Sequence, residues 1–140
     1  MACTAAPLEP RRILIADDTA SSRDLLRSIL EANGHVVEEA QDGQQVLEII
    51  EAFGPHLVIL DLHMPRLDGY STAAALRKMP IFQRMPIVAL TAAITQTAPD
   101  RISESGFSAY LVKPIRPSNL RQCVANLLQE RDTSSVSPIV

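Results

Sequence analysis

The stretch HLVILDLHMPRLDG, residues 56–69, decides the fold. Its first five residues, His56–Leu60, are almost continuously branched and apolar, as in a strand covered on both faces. The run meets a carboxylate, Asp61, and gives way to Met64-Pro65 and Asp68-Gly69, which are turn and helix-start residues. A buried strand that ends on an acidic side chain before a loop and a helix is half of a βα unit. The same order recurs on both sides. Arg12–Ala16 (RILIA) runs into Asp17-Asp18, Pro86–Leu90 (PIVAL) into Thr91, and Ala109–Val112 (AYLV) into Lys113. His35–Ala40 (HVVEEA) is a strand with a charged half, which reads as a sheet edge.

Helical patterns fill the intervals. Leu25, Leu26, Ile29 and Leu30 share one face, and Asn33-Gly34 supplies a stop. Asp42 and Gln45 have the spacing of a capping box ahead of Val46, Leu47, Ile49, Ile50 and Phe53, with Gly54-Pro55 closing that helix. A third helix is predicted from Gly69 to Met79. A polar fourth lies between Thr97 and Ser105, closed by Gly106. The last starts near Pro117 and carries Leu120, Cys123, Val124, Leu127 and Leu128 on one stripe. Strands and helices therefore alternate five times, which implies an α/β fold: a five-stranded parallel sheet, doubly wound by five helices with right-handed crossovers. The ends, residues 1–10 and 132–140, are small, polar or Pro-rich and are expected to be flexible tails around a single domain, residues 11–131.

Composition sets limits on function. The 140 residues are 46% hydrophobic and 21% charged, a globular balance and enough chain for one ordinary domain. Thirteen basic against 16 acidic side chains give a net charge of −3, which argues against direct nucleic-acid binding. Cys3 and Cys123 lie far apart and share no motif, so neither a disulfide framework nor a zinc site is indicated. No apolar run is long enough to enter a membrane as a span, and the amino-terminus lacks a secretion signal, so a cytoplasmic location is expected.

In a doubly wound sheet, ligands bind beyond the carboxyl ends of the strands. With strand order 2-1-3-4-5, that edge gathers Asp17, Asp18, Asp61, Thr91 and Lys113. Asp17 and Asp18 alone could simply cap the first helix, but a helix cap does not account for five polar residues at four strand ends. Carboxylates at close quarters repel one another unless one is protonated or a cation binds. A hard divalent ion such as Mg²⁺ takes oxygen ligands and leaves room for phosphate oxygens. The chemistry suggested is phosphoryl transfer onto a carboxylate, with a cation and an ammonium neutralising the phosphoryl oxygens and a hydroxyl donating to one. His35, His56 and His63 have no metal-ligand spacing and read as solvated or packing residues.

The sequence resembles the receiver domain of bacterial two-component response regulators, whose simplest member is the chemotaxis regulator. The resemblance rests on Asp17-Asp18, on Asp61-Leu62-His63-Met64-Pro65-Arg66-Leu67-Asp68-Gly69, on Leu90-Thr91-Ala92 and on Tyr110-Leu111-Val112-Lys113-Pro114, and covers roughly residues 11–130. It implies a flavodoxin-like fold and a phosphoacceptor signalling domain rather than an enzyme. Asp61 would receive a phosphoryl group from a phosphohistidine on a sensor histidine kinase or a histidine phosphotransfer protein. Mg²⁺ would be held by Asp18, Asp61 and the backbone carbonyl of His63, with Asp17 acting through a metal-bound water. Thr91 and Lys113 would hold the phosphoryl oxygens, and Thr91 with Tyr110 would form the switch to a partner surface on the fourth and fifth helices and the fifth strand. The family also implies a cis Lys113-Pro114 bond, against the ordinary preference for trans.

Two departures bear on the output. Ser108-Ala109 stands where transcription-factor members often carry acidic residues, and Ile115-Arg116-Pro117-Ser118 is similar to receiver modules of hybrid kinases. Rival readings fit less well. A haloacid-dehalogenase phosphatase has Asp-x-Asp-x-Thr after its first strand, whereas this chain reads Asp17-Asp18-Thr19. A flavodoxin-type electron carrier would meet carboxylates where it needs backbone donors for phosphate, and 4% aromatic residues offer little for stacking. A receiver-like interaction module that no longer needs phosphorylation is the remaining alternative.

Overall fold

The computed structural model describes residues 11–92 and 98–132. Five strands alternate with five helices: β1 Arg12–Ala16, α1 Ala20–Ala32, β2 Val36–Ala40, α2 Gly43–Phe53, β3 Leu57–Asp61, α3 Gly69–Arg77, β4 Ile87–Thr91, α4 Ala98–Glu104, β5 Ala109–Val112 and α5 Pro117–Asp132. A short 3-10 turn, Pro80–Phe82, follows α3. The strands form one sheet in the order β2-β1-β3-β4-β5, parallel throughout, as the alternation required.

Burial follows strand position. Every residue of β3 and β4 is buried, whereas Tyr110 and Val112 on the edge strand β5 are exposed. Alternate side chains feed two cores. Leu14, Val58, Leu60, Ile87 and Ala89 pack with Val46 and Ile50 of α2, Leu76 of α3 and Ile102 of α4. Ile13, Ile15, Ile59, Val88 and Leu90 pack with Leu26 and Leu30 of α1 and with Leu120, Val124 and Leu128 of α5. The period of two along each strand thus assigns α2, α3 and α4 to one face and α1 and α5 to the other.

Element boundaries differ from the sequence reading by one or two residues, for local reasons. His35 is outside β2 because its N–H bonds back to Leu30 O of α1. Pro86 lacks an N–H, so β4 starts at Ile87, although Pro86 O still accepts from Val58 N. Asp61 and Thr91 are the last residues of their strands, not the first beyond them, and pair with Leu90 and Val112 respectively. Helix α3 ends at Arg77, before Met79, because the residue ahead of Pro80 is disfavoured in helical geometry. In α4, Thr97 lies outside the described residues, and the helix runs Ala98–Glu104.

The capping box at α2 is rearranged. Asp42 accepts from Gln45 N at 2.8 Å, but the Gln45 side chain reaches Gln41 N at 2.7 Å, one residue before the cap. Gly54 closes the helix in the left-handed region (φ 62°). Asp42 also takes a two-pronged guanidinium from Arg66, at 3.1 and 3.2 Å, which ties the loop after β3 to the start of α2. The Gln45 N–H bond and then the Arg66 contact hold the Asp42 carboxyl below its ordinary value. A depressed folded value means that this contribution is complete above about pH 4 and is lost as pH falls through the folded value. Asp42→Ala is expected to cost about 1 kcal/mol at neutral pH, and that difference should shrink in acid. Urea titrations at pH 7 and pH 3 measure both.

Candidate functional site

Three carboxylates meet at the carboxyl edge of the sheet. Asp17, Asp18 and Asp61 offer oxygens that all lie within 4.8 Å of one another. The register explains the meeting: Ala16 pairs with Leu60, so the residues after them stand level on adjacent strands. Asp17 is fully buried, Asp61 nearly so, and Asp18 exposed. One ammonium answers them. Lys113 Nζ donates to Asp17 Oδ2 at 3.0 Å and to Asp61 Oδ2 at 2.8 Å. It arrives there because Lys113 N bonds to Thr91 O at 2.8 Å, continuing the ladder one residue beyond β5, and the following bond to Pro114 is cis, as expected. Burial opposes the Lys113 charge, but the bonds to Asp61 and Asp17 outweigh it and raise its pKa above the ordinary 10.5.

The remaining oxygens are held by backbone. Asp17 Oδ1 accepts from Thr19 N at 2.9 Å, and Asp61 Oδ1 accepts from His63 N at 3.0 Å. Asp17 therefore does not cap α1 in the ordinary way; it holds the N–H of Thr19, the residue in the cap position. Gly69 is packed behind Asp61: a Cβ there would collide with the Asp61 carbonyl and stand 2.8 Å from Leu62 Cα. Asp68 caps α3 through Ser71 N at 2.8 Å, which fixes the far end of the loop.

Thr91 is buried at the end of β4, on the strand next to Asp61. Tyr110 is not brought to the cluster. It is 42% exposed and lines a groove with Ile102 and Phe107, on the α4 side of the sheet. A second groove, of about 410 Å³, is lined by Asp17 and Lys113 together with Leu25, Ala92 and Ile115. His56 Nδ1 accepts from Arg12 N at 3.0 Å, burial lowers the pKa of His35, and neither stands in the acidic cluster.

Sequence reasoning missed two arginines that brace this site. Arg66, at φ 67°, and Arg23, whose Nη1 donates to Asp17 O at 2.7 Å, each read along the chain as ordinary surface charge. Arg66 lies inside the Met64-to-Gly69 loop, where an unusual backbone was foreseeable; nothing in the spacing marks Arg23.

A parallel sheet of this order, with an acidic pocket at its carboxyl edge, is the arrangement of response regulator receiver domains. Residues 13–125 match the response regulator receiver domain, and the chain belongs to that family. It is 43% identical over 112 residues, 79% of its length, to the transcriptional regulatory protein PdtaR of Mycobacterium tuberculosis. The chain spans about half the length of that relative and of several others that it matches. A response-regulator structure from Chloroflexus aurantiacus superposes with a TM-score of 0.83 at 32% identity, covering 86% of this chain and 99% of that one. The receiver domain of the sensor histidine kinase PA1611 of Pseudomonas aeruginosa, whose structure holds a magnesium ion in its active-site cleft, gives 0.80 at 27% identity, covering 86% and 98%. Receiver domains are signalling modules and not classical enzymes, and they bind Mg²⁺ at an acidic pocket of this kind. No helix among the described residues is long and apolar enough to cross a membrane.

Proposed function

We propose that residues 11–131 form a phosphorylation-controlled receiver in which Asp61 accepts a phosphoryl group from a phosphohistidine. The observation that carries this reading is Lys113 Nζ bridging Asp61 and Asp17 beside Asp18. Three carboxylates and one ammonium sum to −2, the charge that a divalent cation cancels. The donor set is all oxygen, which suits Mg²⁺. Asp18, Asp61 and the backbone carbonyl of His63 would hold the ion, with Asp17 reached through water; when bound, it neutralises phosphoryl oxygens.

The chain's own residues do the rest. A carboxylate oxygen of Asp61 attacks phosphorus, the P–N bond of the donor breaks, and the imidazole leaves with the electron pair; a mixed anhydride forms on Asp61. His63 N orients the Asp61 carboxylate through its Oδ1. Lys113 is shared between Asp61 and Asp17 in the free site, so it is placed to follow the charge as it moves onto phosphoryl oxygens. The Thr91 hydroxyl donates to the new dianionic group. Drawing Thr91 towards Asp61 vacates space behind it on β4, and Tyr110, held outward in the α4 groove, turns in to fill it. That changes the α4–β5–α5 surface offered to a downstream protein. Later hydrolysis of the anhydride resets the switch. The donor is a histidine kinase or histidine phosphotransfer protein, in a cytoplasmic setting where ATP charges such kinases.

Incubation with acetyl phosphate and Mg²⁺, followed by intact mass measurement, should show the addition of a single phosphoryl group. Asp18→Ala should lose both Mg²⁺ binding and uptake while keeping the fold; an unchanged Mg²⁺ titration would remove Asp18 from the metal site. The switch is checked with beryllofluoride, whose BeF₃⁻ group mimics the phosphoryl on Asp61. Amide shifts in α4, β5 and α5 are expected, with new rotamers at Thr91 and Tyr110. Identical rotamers and silent amides would rule this switch out.

A further inference from the structure

We propose that Arg23 is a positioning residue for the carboxylate cluster, holding the Asp17–Asp18 peptide in place with Glu39 as its anchor. The inference rests on the reading of Asp17, Asp18 and Asp61 as a Mg²⁺ site. Arg23 lies on α1 with its side chain only 12% exposed. Its Nη1 donates to Asp17 O at 2.7 Å, and its Nε donates to Glu39 Oε1 at 3.0 Å. Glu39 precedes Ala40, whose carbonyl accepts from Asp17 N at 3.2 Å. Both polar atoms of the Asp17 backbone are therefore tied to the end of β2, one directly and one through Arg23. With Oδ1 on Thr19 N and Oδ2 on Lys113, all four polar atoms of Asp17 are engaged.

The carbonyl that Arg23 holds belongs to the peptide joining Asp17 to Asp18. Its direction sets the direction in which Asp18 leaves the chain. Asp18 is exposed, and its one described side-chain bond is a long one from the Thr19 hydroxyl at 3.5 Å. Its carboxylate is thus aimed by the backbone, and the backbone is aimed by Arg23. Glu39 is fixed in turn by Arg27, which pairs with it and donates Nη2 to Val37 O at 2.9 Å.

A purely structural role is the competing account, because an inward-facing charge on an edge strand discourages pairing with another chain. The two accounts differ in sign. Removing a cation beside an acidic cluster strengthens Mg²⁺ binding by Coulomb's law; losing a positioning residue weakens it. In the full chain, Mg²⁺ alone is titrated and followed by amide shifts, with thermal unfolding run alongside. Arg23→Ala is expected to raise the half-saturating Mg²⁺ concentration about tenfold, the scale on which outer-shell partners of metal ligands act. Arg27→Ala removes the same charge and one of the two partners of Glu39 while leaving both Arg23 bonds in place, so any weakening should fall well short of that in Arg23→Ala. Arg23→Met combined with Glu39→Leu leaves neither partner of the pair as an orphan charge; it should keep the fold and still show the weakened binding. Wild-type or tighter Mg²⁺ binding in the Arg23 variants would overturn the positioning role, as would an equal weakening in Arg27→Ala. A wild-type chain with no saturable Mg²⁺ shift at Asp17, Asp18 and Asp61 would overturn the site reading, and this inference with it.

Discussion

Asp61→Asn is expected to abolish phosphoryl uptake, a loss of about 10³-fold or more, the scale on which removal of a nucleophile acts. The substitution is close to isosteric, and the amide oxygen can still accept from His63 N, so the loop keeps its orienting bond. What disappears is the nucleophile, because an amide oxygen does not form a stable anhydride with a phosphoryl group. The cluster also falls from −2 to −1 when Asp61 loses its charge, and Mg²⁺ binding should weaken with it. Intact mass after treatment with acetyl phosphate and Mg²⁺ reads the first effect directly. A variant that gains hydroxylamine-sensitive phosphate at the wild-type level would show that the acceptor lies elsewhere.

The fold was legible because the strands obey simple rules. Ile13, Leu14 and Ile15, or Leu57 to Leu60, are apolar at consecutive positions, and only a parallel strand covered on both faces buries such a run. The polar residues closing those runs were legible for the same reason: strand ends on one edge of a parallel sheet must converge, and Asp17, Asp61 and Lys113 do so within hydrogen-bonding distance. What stayed hidden depends on contacts between elements distant in the chain. The charged half of β2 signalled an edge correctly, yet nothing in HVVEEA says that Glu39 turns inward to meet Arg23 and Arg27. The Gln45 side chain bonds Gln41 N, one residue away from the expected partner. Arg77 is a further case. It stands in the last turn of α3, and its guanidinium donates to Gly106 O, Phe82 O and Gln83 O, joining α3 to the 3-10 turn and to the α4–β5 connection.

Lys113→Met is expected to produce the second large effect, on both stability and rate. Asp17 is fully buried and faces Asp61 across the ammonium. Without that charge the two carboxylates repel each other at short range. Breaking a fully buried pair costs about 3–5 kcal/mol; Lys113 is 27% exposed, so water recovers part of this, and a cost of about 1–3 kcal/mol is expected. The sign of the pH dependence follows from the raised pKa of Lys113. The wild-type contribution is complete below the ordinary lysine value of 10.5 and fades as pH rises through the higher folded value, so wild type and variant should converge in strong alkali. Bound Mg²⁺ supplies the missing positive charge, so the variant should gain more stability from added Mg²⁺ than the wild type does. Rate does not recover in the same way. The ammonium sits on the Asp61 oxygen opposite the one held by His63 N, and no other described lysine or arginine pairs with Asp61 to replace it as charge builds on the phosphoryl oxygens. Losing one such donor lowers rates by about 10²–10³. Phosphorylation by acetyl phosphate at saturating Mg²⁺ should therefore stay slow even where thermal unfolding shows restored stability. If Mg²⁺ restores rate and stability together, Lys113 is only a counter-charge for Asp17 and takes no part in phosphoryl transfer.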